Sequence, residues 1–333
     1  MASLKKIAKE LNVSYTLISK VLSGKMGTTG VSAAMRAAII QKALELNYKP
    51  NRLAVALKAG RKDAVAVFLH EMGVSGSAIS EKLLRGISTQ LARQGLRMHL
   101  RFFMTDGEFF AACDERLKHD VDGLIIGGVF HPGILKKLAE LENQSLPCVS
   151  IFSGSPDFTK SPLSNVHIDW QHQTYLTTGH LIKNGCRKLA CFCTMADRTA
   201  GFIKAHEEHG IPYDKQLLIP SQGFYLEDGL ENIKALLDSK LPFDGLVCQS
   251  DAQAVEAINE LFRRGIPVPE KVKVTGVDDS PLAESCIVPL TSATTEMEYA
   301  ASKAVEMLLE KIEGRPSASI VIKPLLVVRQ SSG

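Results

Sequence analysis

Three absences limit what this chain can be. No apolar run approaches the ~18 residues that a membrane-spanning helix needs, and residues 1–11 lack the apolar core of a signal peptide. The seven cysteines contain no C-x-x-C pair, so we expect buried free thiols, with a redox or metal role as the alternative. These absences favour a cytoplasmic location and argue against a membrane-bound or disulfide-stabilised protein.

The common signatures of catalysis and cofactor binding are also missing. The sequence contains no H-E-x-x-H zinc motif, no G-x-S-x-G nucleophile turn, no Walker A loop and no G-x-G-x-x-G. We therefore expect no catalytic residue, no metal and no cofactor. What remains is an ordinary globular composition, with 45% hydrophobic and 23% charged residues, and a length that predicts two or three domains.

Charge is distributed unevenly along the chain. Residues 1–62 hold 12 Lys and Arg against 2 Asp and Glu, whereas residues 63–333 hold 27 against 34. The first segment therefore carries a net charge of +10 and the remainder −7. A basic segment on a mildly acidic body predicts a polyanionic partner at one end, and a solvated lysine-rich surface is the alternative.

The basic segment predicts three short helices. Apolar residues recur at helical spacing over about residues 4–11, over 15–22 after Ser14, and again after Ser32. Both serines are suited to cap the helices that follow them, because a hydroxyl accepts the unpaired amides of a first turn. The second helix turns small polar residues and Lys20 away from its apolar face. That surface suits the major groove of DNA, and a helical bundle for protein contacts is the alternative.

Two stretches, LKKIAKELNVSYTLISKVLSG at residues 4–24 and VSAAMRAAIIQKALELNYKPNRLAVALKAG at residues 31–60, closely resemble the DNA-binding head of the LacI/GalR family of bacterial transcriptional regulators. The resemblance implies a helix-turn-helix domain over residues 1–50, with double-stranded operator DNA as its partner. Its recognition helix would read bases, while neighbouring residues would hold the DNA backbone. The residues that the resemblance assigns to DNA contact are Ser14, Tyr15, Thr16, Ser19, Lys20, Ser32, Asn51, Ala54 and Leu57.

Residues 51–62 resemble the hinge helix of this family. The resemblance implies that the segment forms a helix on operator DNA, with Leu57 as an apolar wedge in the minor groove and Ala54 beside it. About two turns of helix are only marginally stable alone in water, which agrees with folding on DNA. A plain linker helix, with Leu57 packed on the body, is the alternative.

Residues 63–333 alternate short apolar runs with amphipathic segments, which predicts parallel strands joined by helices. The expected strands are 64–70, 96–103, 123–127, 147–151, 188–193, 217–219, 245–248, 272–276 and 320–328. Helical patterns fall at 80–94, 170–183, 251–264 and 298–313. Two successive runs of strands predict an α/β body of two doubly wound lobes that divide near residues 153–162. The N-lobe would take about residues 63–165 and 296–333, and the C-lobe about 166–295.

The body also resembles the LacI/GalR family, whose body is similar to periplasmic sugar-binding proteins. The supporting motifs include HLIKNGCRKLACF at residues 180–192, Thr275-Gly276-Val277-Asp278-Asp279 and Arg329-Gln330-Ser331. The resemblance implies that residues 63–333 bind a small-molecule effector and form a homodimer. In such sheets a ligand binds beyond the carboxyl ends of the strands, in a cleft between the lobes.

The same resemblance assigns the effector contacts. Arg198 matches the family's effector-binding arginine, Asp278 matches an acceptor at the end of a strand, and Phe224 matches an aromatic ring that stacks on the ligand. The alternatives are an ion pair of Arg198 with Asp197, helix capping by Asp278 and core packing of Phe224. The full set of predicted effector-binding residues is His70, Glu71, Phe152, Arg198, Phe224, Ser250 and Asp278.

The N-lobe departs from the sugar-binding pattern of the family. Phe152 stands where an acidic ligand contact is found, and Gly127 replaces a polar residue. His70 and Glu71, at the end of the first strand, could supply polar contacts instead. The effector is therefore left open as a sugar or another metabolite, and Trp170 is assigned either to the cleft or to the core.

Together these observations predict a sequence-specific DNA-binding transcriptional regulator, with a repressor as the favoured form. A small-molecule effector would control its affinity for the operator. Two alternatives are a small-molecule binding protein without a DNA role and a doubly wound sugar-modifying enzyme. The basic segment argues against the first, and the missing phosphate-binding glycines argue against the second.

Overall fold

The computed structural model describes residues 4–23, 30–46, 48, 61–70, 78–128, 132–151 and 163–333. Its contacts divide the chain into two compact units, Met1–Lys62 and Asp63–Gly333. This boundary agrees with the predicted end of the basic segment. The functional division into a DNA-binding head, a hinge and an effector domain stays a prediction.

The described part of the first unit contains three helices, α1 (Leu4–Glu10), α2 (Tyr15–Ser23) and α3 (Ala33–Glu45). Their shared core is apolar and is centred on Ile7, Ile18 and Ile39, which are fully buried. The predicted caps are present, because the Ser14 hydroxyl accepts from the Leu17 amide at 3.1 Å and the Ser32 hydroxyl accepts from the Met35 amide at 3.2 Å.

The described part of the second unit contains twelve strands. They are β1 (Ala64–His70), β2 (Arg97–Phe103), β3 (Gly123–Gly127), β4 (Cys148–Ile151), β5 (Ser164–Ile168), β6 (Leu189–Cys193), β7 (Leu218–Pro220), β8 (Gly245–Val247), β9 (Lys273–Asp278), β10 (Thr291–Thr294), β11 (Ile320–Ile322) and β12 (Leu326–Val327). They form two sheets of six strands, in the orders β11-β5-β4-β3-β1-β2 and β12-β10-β9-β8-β6-β7. All neighbours are parallel except β10 and β12.

Helices connect these parallel strands and cover both faces of each sheet, as crossover connections require. The described helices of this unit are α4 (Ala78–Arg93), α5 (Asp106–Ala112), α6 (Leu117–Asp120), α7 (Pro132–Asn143), α8 (Trp170–Lys183), α9 (Ala196–Glu208), α10 (Leu226–Asp238), α11 (Asp251–Arg263), α12 (Pro281–Ser285) and α13 (Met297–Ile312). The first sheet lies between two apolar clusters, so every residue of β1 is buried. The predicted α/β fold class with two doubly wound lobes is confirmed.

The predicted lobe boundaries differ from the structure in two places. β5 pairs with β4 and therefore belongs to the first sheet, so the lobes do not divide at residues 153–162. The single strand predicted over 320–328 is two strands, because β11 pairs with β5 and β12 turns back along β10. The N-lobe prediction of 296–333 was therefore too long, since the last residues belong to the second sheet.

Within residues 163–333, which are described throughout, the chain passes between the two sheets three times. The crossings lie at Asp169, at residues 295–296 and at residues 323–325. They lie side by side, because the Asp169 amide donates to the Ile322 carbonyl at 3.1 Å and the Thr294 amide donates to the Leu325 carbonyl at 2.7 Å. A strip of hydrogen-bonded backbone thus connects the lobes.

No helix in the described residues is long and apolar enough to cross a membrane.

Candidate functional site

A buried polar cluster lies at one edge of the second sheet. Three parallel strands, β6, β8 and β9, end at this edge, and α9 and α11 begin just beyond it. The short connections place Arg198 in the first turn of α9, Ser250 before α11 and Asp278 at the end of β9. The carboxyl edge of a parallel sheet is where ligands of this architecture bind.

Arg198 is the centre of this cluster, with only 3% of its surface exposed. Its Nε donates to Gln173 Oε1 at 3.2 Å, its Nη1 donates to the Gln249 carbonyl, and its Nη2 lies 3.4 Å from Asp278 Oδ1. Aromatic rings cover the guanidinium, with its central carbon 5.1 Å from the Trp170 ring centroid and 5.4 Å from that of Phe224. The group is therefore held rigidly by several neighbours at once.

Two carboxylates share this buried site. Asp278 accepts from Arg198 and, at 3.1 Å, from the Thr295 hydroxyl. Asp251 accepts from the Ser292 hydroxyl at 2.5 Å and from the Ser280 amide at 2.6 Å. Burial, together with the negative charge of Asp278, raises the pKa of Asp251 to about 7. Burial also raises the pKa of Asp278, and Arg198 counteracts this effect.

Close backbone packing brings Asp251 against β9. A side chain at Gly276 would collide with the Asp251 carboxylate, so glycine is required there. The strand then ends in an unusual turn, in which Asp278 has a φ of 112° and Asp279 a φ of 46°. Non-glycine residues seldom adopt such angles, and the surrounding contacts must hold this strain.

The strained turn is also where the two lobes meet. Lys82 of α4, which packs on the first sheet, donates to the Asp279 carbonyl at 2.8 Å. From the other side, Arg329 near the chain end forms an ion pair with the Asp279 carboxylate at 2.8 Å. The turn is therefore bonded both to the first lobe, through Lys82, and to another part of its own lobe, through Arg329.

Two glutamines, Gln249 and Gln253, organise the loops around the cluster. Gln249 accepts the amides of Thr194 and Met195 at 3.0 and 2.8 Å. Gln253 accepts the Gln249 amide at 3.0 Å and donates to the Gly223 carbonyl at 2.6 Å. The two side chains therefore fix the loops that follow β6 and β7.

The structure brings four of the predicted effector residues together, namely Arg198, Phe224, Ser250 and Asp278. The Ser250 hydroxyl caps α11 by accepting the Gln253 amide at 3.1 Å, and it donates to the Phe224 carbonyl at 2.7 Å. Ser250 thus positions the ring that covers Arg198. The ion-pair partner of Arg198 is Asp278, whereas the sequence suggested Asp197 as the alternative.

The first-lobe members of the predicted site are less defined. His70 is 4% exposed and its ring packs edge-on against Phe103, with centroids 5.0 Å apart. Glu71 and Phe152 lie outside the described residues.

Sequence reasoning did not assign Gln173, Gln249, Gln253, Asp251 and Lys82 to the site. One signal was present for two of them, Gln249 and Asp251. A strand that ends in polar residues and leads directly into a helix, as Cys248-Gln249-Ser250-Asp251 does, places those side chains at the ligand edge of the sheet. Gln173 and Lys82 reach the cluster through tertiary packing, and no local pattern marks them.

Five of the predicted DNA-binding residues lie in α2 or directly before it. Ser14, Tyr15 and Thr16 are exposed at the start of α2, and Ser19 and Lys20 are half-buried one turn later. Ser32 caps α3. Asn51, Ala54 and Leu57 lie outside the described residues.

Comparison with known proteins agrees with this architecture. A family model described as a periplasmic binding protein-like domain matches residues 178–332. The chain is 29% identical to the HTH-type transcriptional repressor PurR of Haemophilus influenzae (strain PittEE) over 348 residues, which cover 99% of this chain and 98% of the relative.

Two solved structures are similar over the whole chain. A complex of the transcriptional regulator CelR with cellobiose has a TM-score of 0.72 at 26% identity, covering 99% of this chain and 100% of CelR. The Lac repressor dimer bound to operator and the anti-inducer ONPF has a TM-score of 0.80 at 20% identity, covering 99% of each chain. At 20% identity, the likeness to the Lac repressor shows the fold alone.

A helical head followed by a two-lobed periplasmic-binding-protein-like body defines a helix-turn-helix transcriptional regulator with an effector-binding domain. These matches support the resemblance to the LacI/GalR family that the head and body motifs predict. The relatives described above are transcriptional regulators rather than enzymes.

Proposed function

We propose that this protein is a cytoplasmic, homodimeric repressor without enzymatic activity, whose α2 helix binds an operator sequence. A small molecule held beside Arg198 and Asp278 would control that binding. The observation that carries the proposal is the exposed polar start of α2, in a unit with a net charge of +10. PurR is a repressor, and the Lac repressor structure is a dimer on its operator, which supports the same activity here.

The chemistry of α2 divides its predicted contacts into two kinds. Tyr15 and Thr16 are exposed where the helix begins, so their hydroxyls are suited to base edges in a major groove. Lys20 lies four residues after Thr16, on the same side of the helix. A lysine there reaches either a base or a phosphate, and the two roles differ in their salt dependence.

The hinge residues belong to the same proposal. Asn51 would contact the DNA backbone, and Leu57, with Ala54 beside it, would enter the minor groove. These assignments rest on the resemblance to the family, since the residues lie outside the described part of the chain. Leu57→Ala should weaken operator binding more than nonspecific binding, because a wedge acts only where the DNA is bent.

The body offers a small molecule both charge and a flat apolar surface. The guanidinium of Arg198 has five N–H donors, which exceeds the three acceptors that it contacts. Phe224 adds an aromatic face and Asp278 a carboxylate. Such a combination suits a ligand with hydroxyl groups, and the cellobiose in the CelR structure supports a sugar or a metabolite of similar chemistry.

Selection of duplexes from a random pool by the full-length protein would test the DNA side. It should be run without ligand and with a mixture of sugars and other metabolites. We expect a recovered duplex to bind at least ~10³-fold more tightly than a scrambled one at moderate salt. Equal affinity for both duplexes under every condition would contradict the proposal.

Substitutions in α2 would then assign the contacts. Thr16→Ala should reduce the ratio of specific to nonspecific affinity, whereas Lys20→Ala should lower the slope of log affinity against log salt by about one if Lys20 contacts a phosphate. Lys234→Ala, which removes an exposed charge from the body, is the matched control and should change neither quantity.

Thermal unfolding in the presence of a sugar and metabolite library would test the effector side. A ligand at about 100 times its Kd should stabilise the protein by about 2.7 kcal/mol. Asp278→Asn should abolish that shift while the duplex selected above still binds. A hit that shifts both proteins equally would place the ligand elsewhere.

A further inference from the structure

The seven cysteine thiols of the chain differ sharply in their surroundings. Five are buried, and Cys193 and Cys286 are partly exposed. Burial raises the pKa of Cys113 to about 12 and that of Cys186 to about 11, and it also raises the pKa of Cys286. Cys193 is different: the Cys191 thiol and the Thr199 hydroxyl stabilise its thiolate by hydrogen bonds and lower its pKa against the effect of burial.

Cys193 and Cys191 form a pair on β6. They are two residues apart in one strand, so their side chains point to the same face of the sheet. The Cys193 sulfur lies 3.6 Å from the Cys191 carbonyl oxygen. Gln249 Nε2 donates both to Cys191 Sγ at 3.9 Å and to Thr199 Oγ1 at 3.0 Å. The partly exposed thiol thus has a buried thiol as its neighbour.

The surroundings also favour an anion at Cys193. It is the last residue of β6, and α9 begins three residues later. The amides and partial positive charge at the start of a helix stabilise a thiolate. Burial raises the pKa of Cys286, the other partly exposed thiol, which therefore lacks the stabilised thiolate of Cys193.

We propose that Cys193 and Cys191 are a two-cysteine oxidation site, in which Cys193 reacts with a hydroperoxide and Cys191 then closes a disulfide. The Cys193 thiolate attacks one peroxide oxygen, an S–O bond forms and the O–O bond breaks. The sulfur is oxidised by two electrons to a sulfenic acid, and the peroxide is reduced to water or an alcohol. The Cys191 sulfur then displaces the hydroxyl, its proton leaves with that oxygen as water, and an S–S bond forms.

The geometry predicts a strained and readily reduced disulfide. Residues two apart in a strand have Cα atoms about 6.6 Å apart, near the upper end of about 6.8 Å for disulfides. Closing the bond would therefore shorten the end of β6 and pull on Thr194 and Met195, whose amides bind Gln249. If the proposed function is correct, oxidation would change the effector site. The two-cysteine oxidation site does not itself depend on that function.

Timed treatment of the reduced full-length protein with hydrogen peroxide tests the proposal. Remaining thiols are alkylated and the peptides are identified by mass spectrometry. We expect Cys193 to react first, and the peptide that contains both cysteines to lose two hydrogens. Faster reaction of any other cysteine, accumulation of a Cys193 sulfinic acid without the disulfide, or a disulfide between two chains would overturn it.

Variants separate the two roles. Cys193→Ser should lower the rate of peroxide consumption by at least ~10-fold, whereas Cys191→Ala should leave the first step intact and trap a sulfenic acid at Cys193. Cys286→Ser is the matched control and should react as the unsubstituted protein does. Because Cys191 is buried, Cys191→Ser and an unfolding curve check that loss of the disulfide is not loss of the fold. None of these measurements uses DNA or an effector, so they remain decisive if the regulatory role fails.

Discussion

The two sheets of the body have the same design but differ in what their interiors contain. In the first sheet, the described strands β1 and β3 bring almost only apolar side chains into the core, with His70 as an exception at a strand end. In the second, an arginine, an aspartate and two glutamines are buried where the strands end, and the side chain of a second aspartate, Asp278, is only 11% exposed. The same arrangement of parallel strands and helices therefore supports an apolar core in one lobe and a polar site in the other. The polar site is already assembled without a ligand.

This difference has an energetic consequence. Truncating a side chain in an apolar core costs transfer and cavity energy, and the neighbours can partly relax. Truncating a member of the polar cluster leaves a charge or an amide buried without its partner. Movement of the neighbouring apolar side chains cannot replace that partner. The second sheet should therefore respond to substitution and to pH in ways that the first does not.

The largest effect is expected for Arg198→Ala. Removal of the guanidinium leaves the buried Asp278 carboxylate unpaired and should destabilise the protein by about 3–5 kcal/mol, measured by urea unfolding. Arg263→Ala is the control, since that arginine also pairs with glutamates but 55% of its side chain is exposed, and it should cost no more than about 1 kcal/mol. Similar losses for both variants would mean that the Arg198 cluster is not energetically special.

The next effect is a dependence on pH that originates at Asp251. Its pKa is about 7 in the folded protein against 3.8 as the ordinary value, so the folded state holds a proton that the unfolded state loses. Stability should therefore fall as pH rises from about 4 to 7, by about 1.4 kcal/mol for each unit of pKa difference. Asp251→Asn, which imitates the protonated carboxyl, should gain stability relative to the unsubstituted protein across that range.

Unfolding curves at about pH 5 and about pH 8 would measure this gain. Asp238→Asn, at an aspartate whose side chain is 69% exposed, is the control and should show no such trend. A difference between the Asp251 variant and the unsubstituted protein that stays constant with pH would refute the linkage.

A smaller loss is expected for Gln253→Ala. The substitution removes the acceptor of the Gln249 amide and the donor to the Gly223 carbonyl, and it should cost about 1–3 kcal/mol in free energy of unfolding. Gln171→Ala, at an exposed position of α8, should stay within about 0.5 kcal/mol. If both glutamines prove equally dispensable, the loops after β6 and β7 are held by something else.

The smallest effect should come from Lys82→Met, which keeps most of the side chain but loses the bond to the Asp279 carbonyl. Because Lys82 is half-buried, we expect about 0.5–1.5 kcal/mol. Lys136→Met, at an exposed position of α7, supplies the comparison. A Lys82 variant as stable as this control would show that the bond between the lobes adds nothing in the absence of a ligand.

The sequence predicted the apolar strands well and missed the polar ones. β5 and β10 were not expected, because Ser164, Asn165, Thr291 and Ser292 do not form an apolar run. Ser292 is hydrogen-bonded inside the fold to Asp251, 41 positions away in the sequence, and such partners come from distant parts of the chain. Local pattern cannot reveal a partner that only tertiary structure supplies.

The candidate site shows the same limit. The resemblance to the family pointed to Arg198 and Asp278, and the structure joins them. It did not reveal that Trp170 and Phe224 enclose the guanidinium or that Gln249 holds the adjacent loop, because these contacts depend on how α8 packs against α9 and the strand ends. For the first unit, helical periodicity and the serine caps were sufficient to predict the three described helices, because these signals act within a few residues.

The three neighbouring crossings between the sheets limit how the lobes can move. Each is three residues long or shorter, and hydrogen bonds tie them into one narrow strip. Such a strip resists sliding and separation of the two lobes, but it permits them to rotate about the line along which it runs. A ligand that draws the lobes together should therefore swing them about this line, and points far from it will travel the greatest distance.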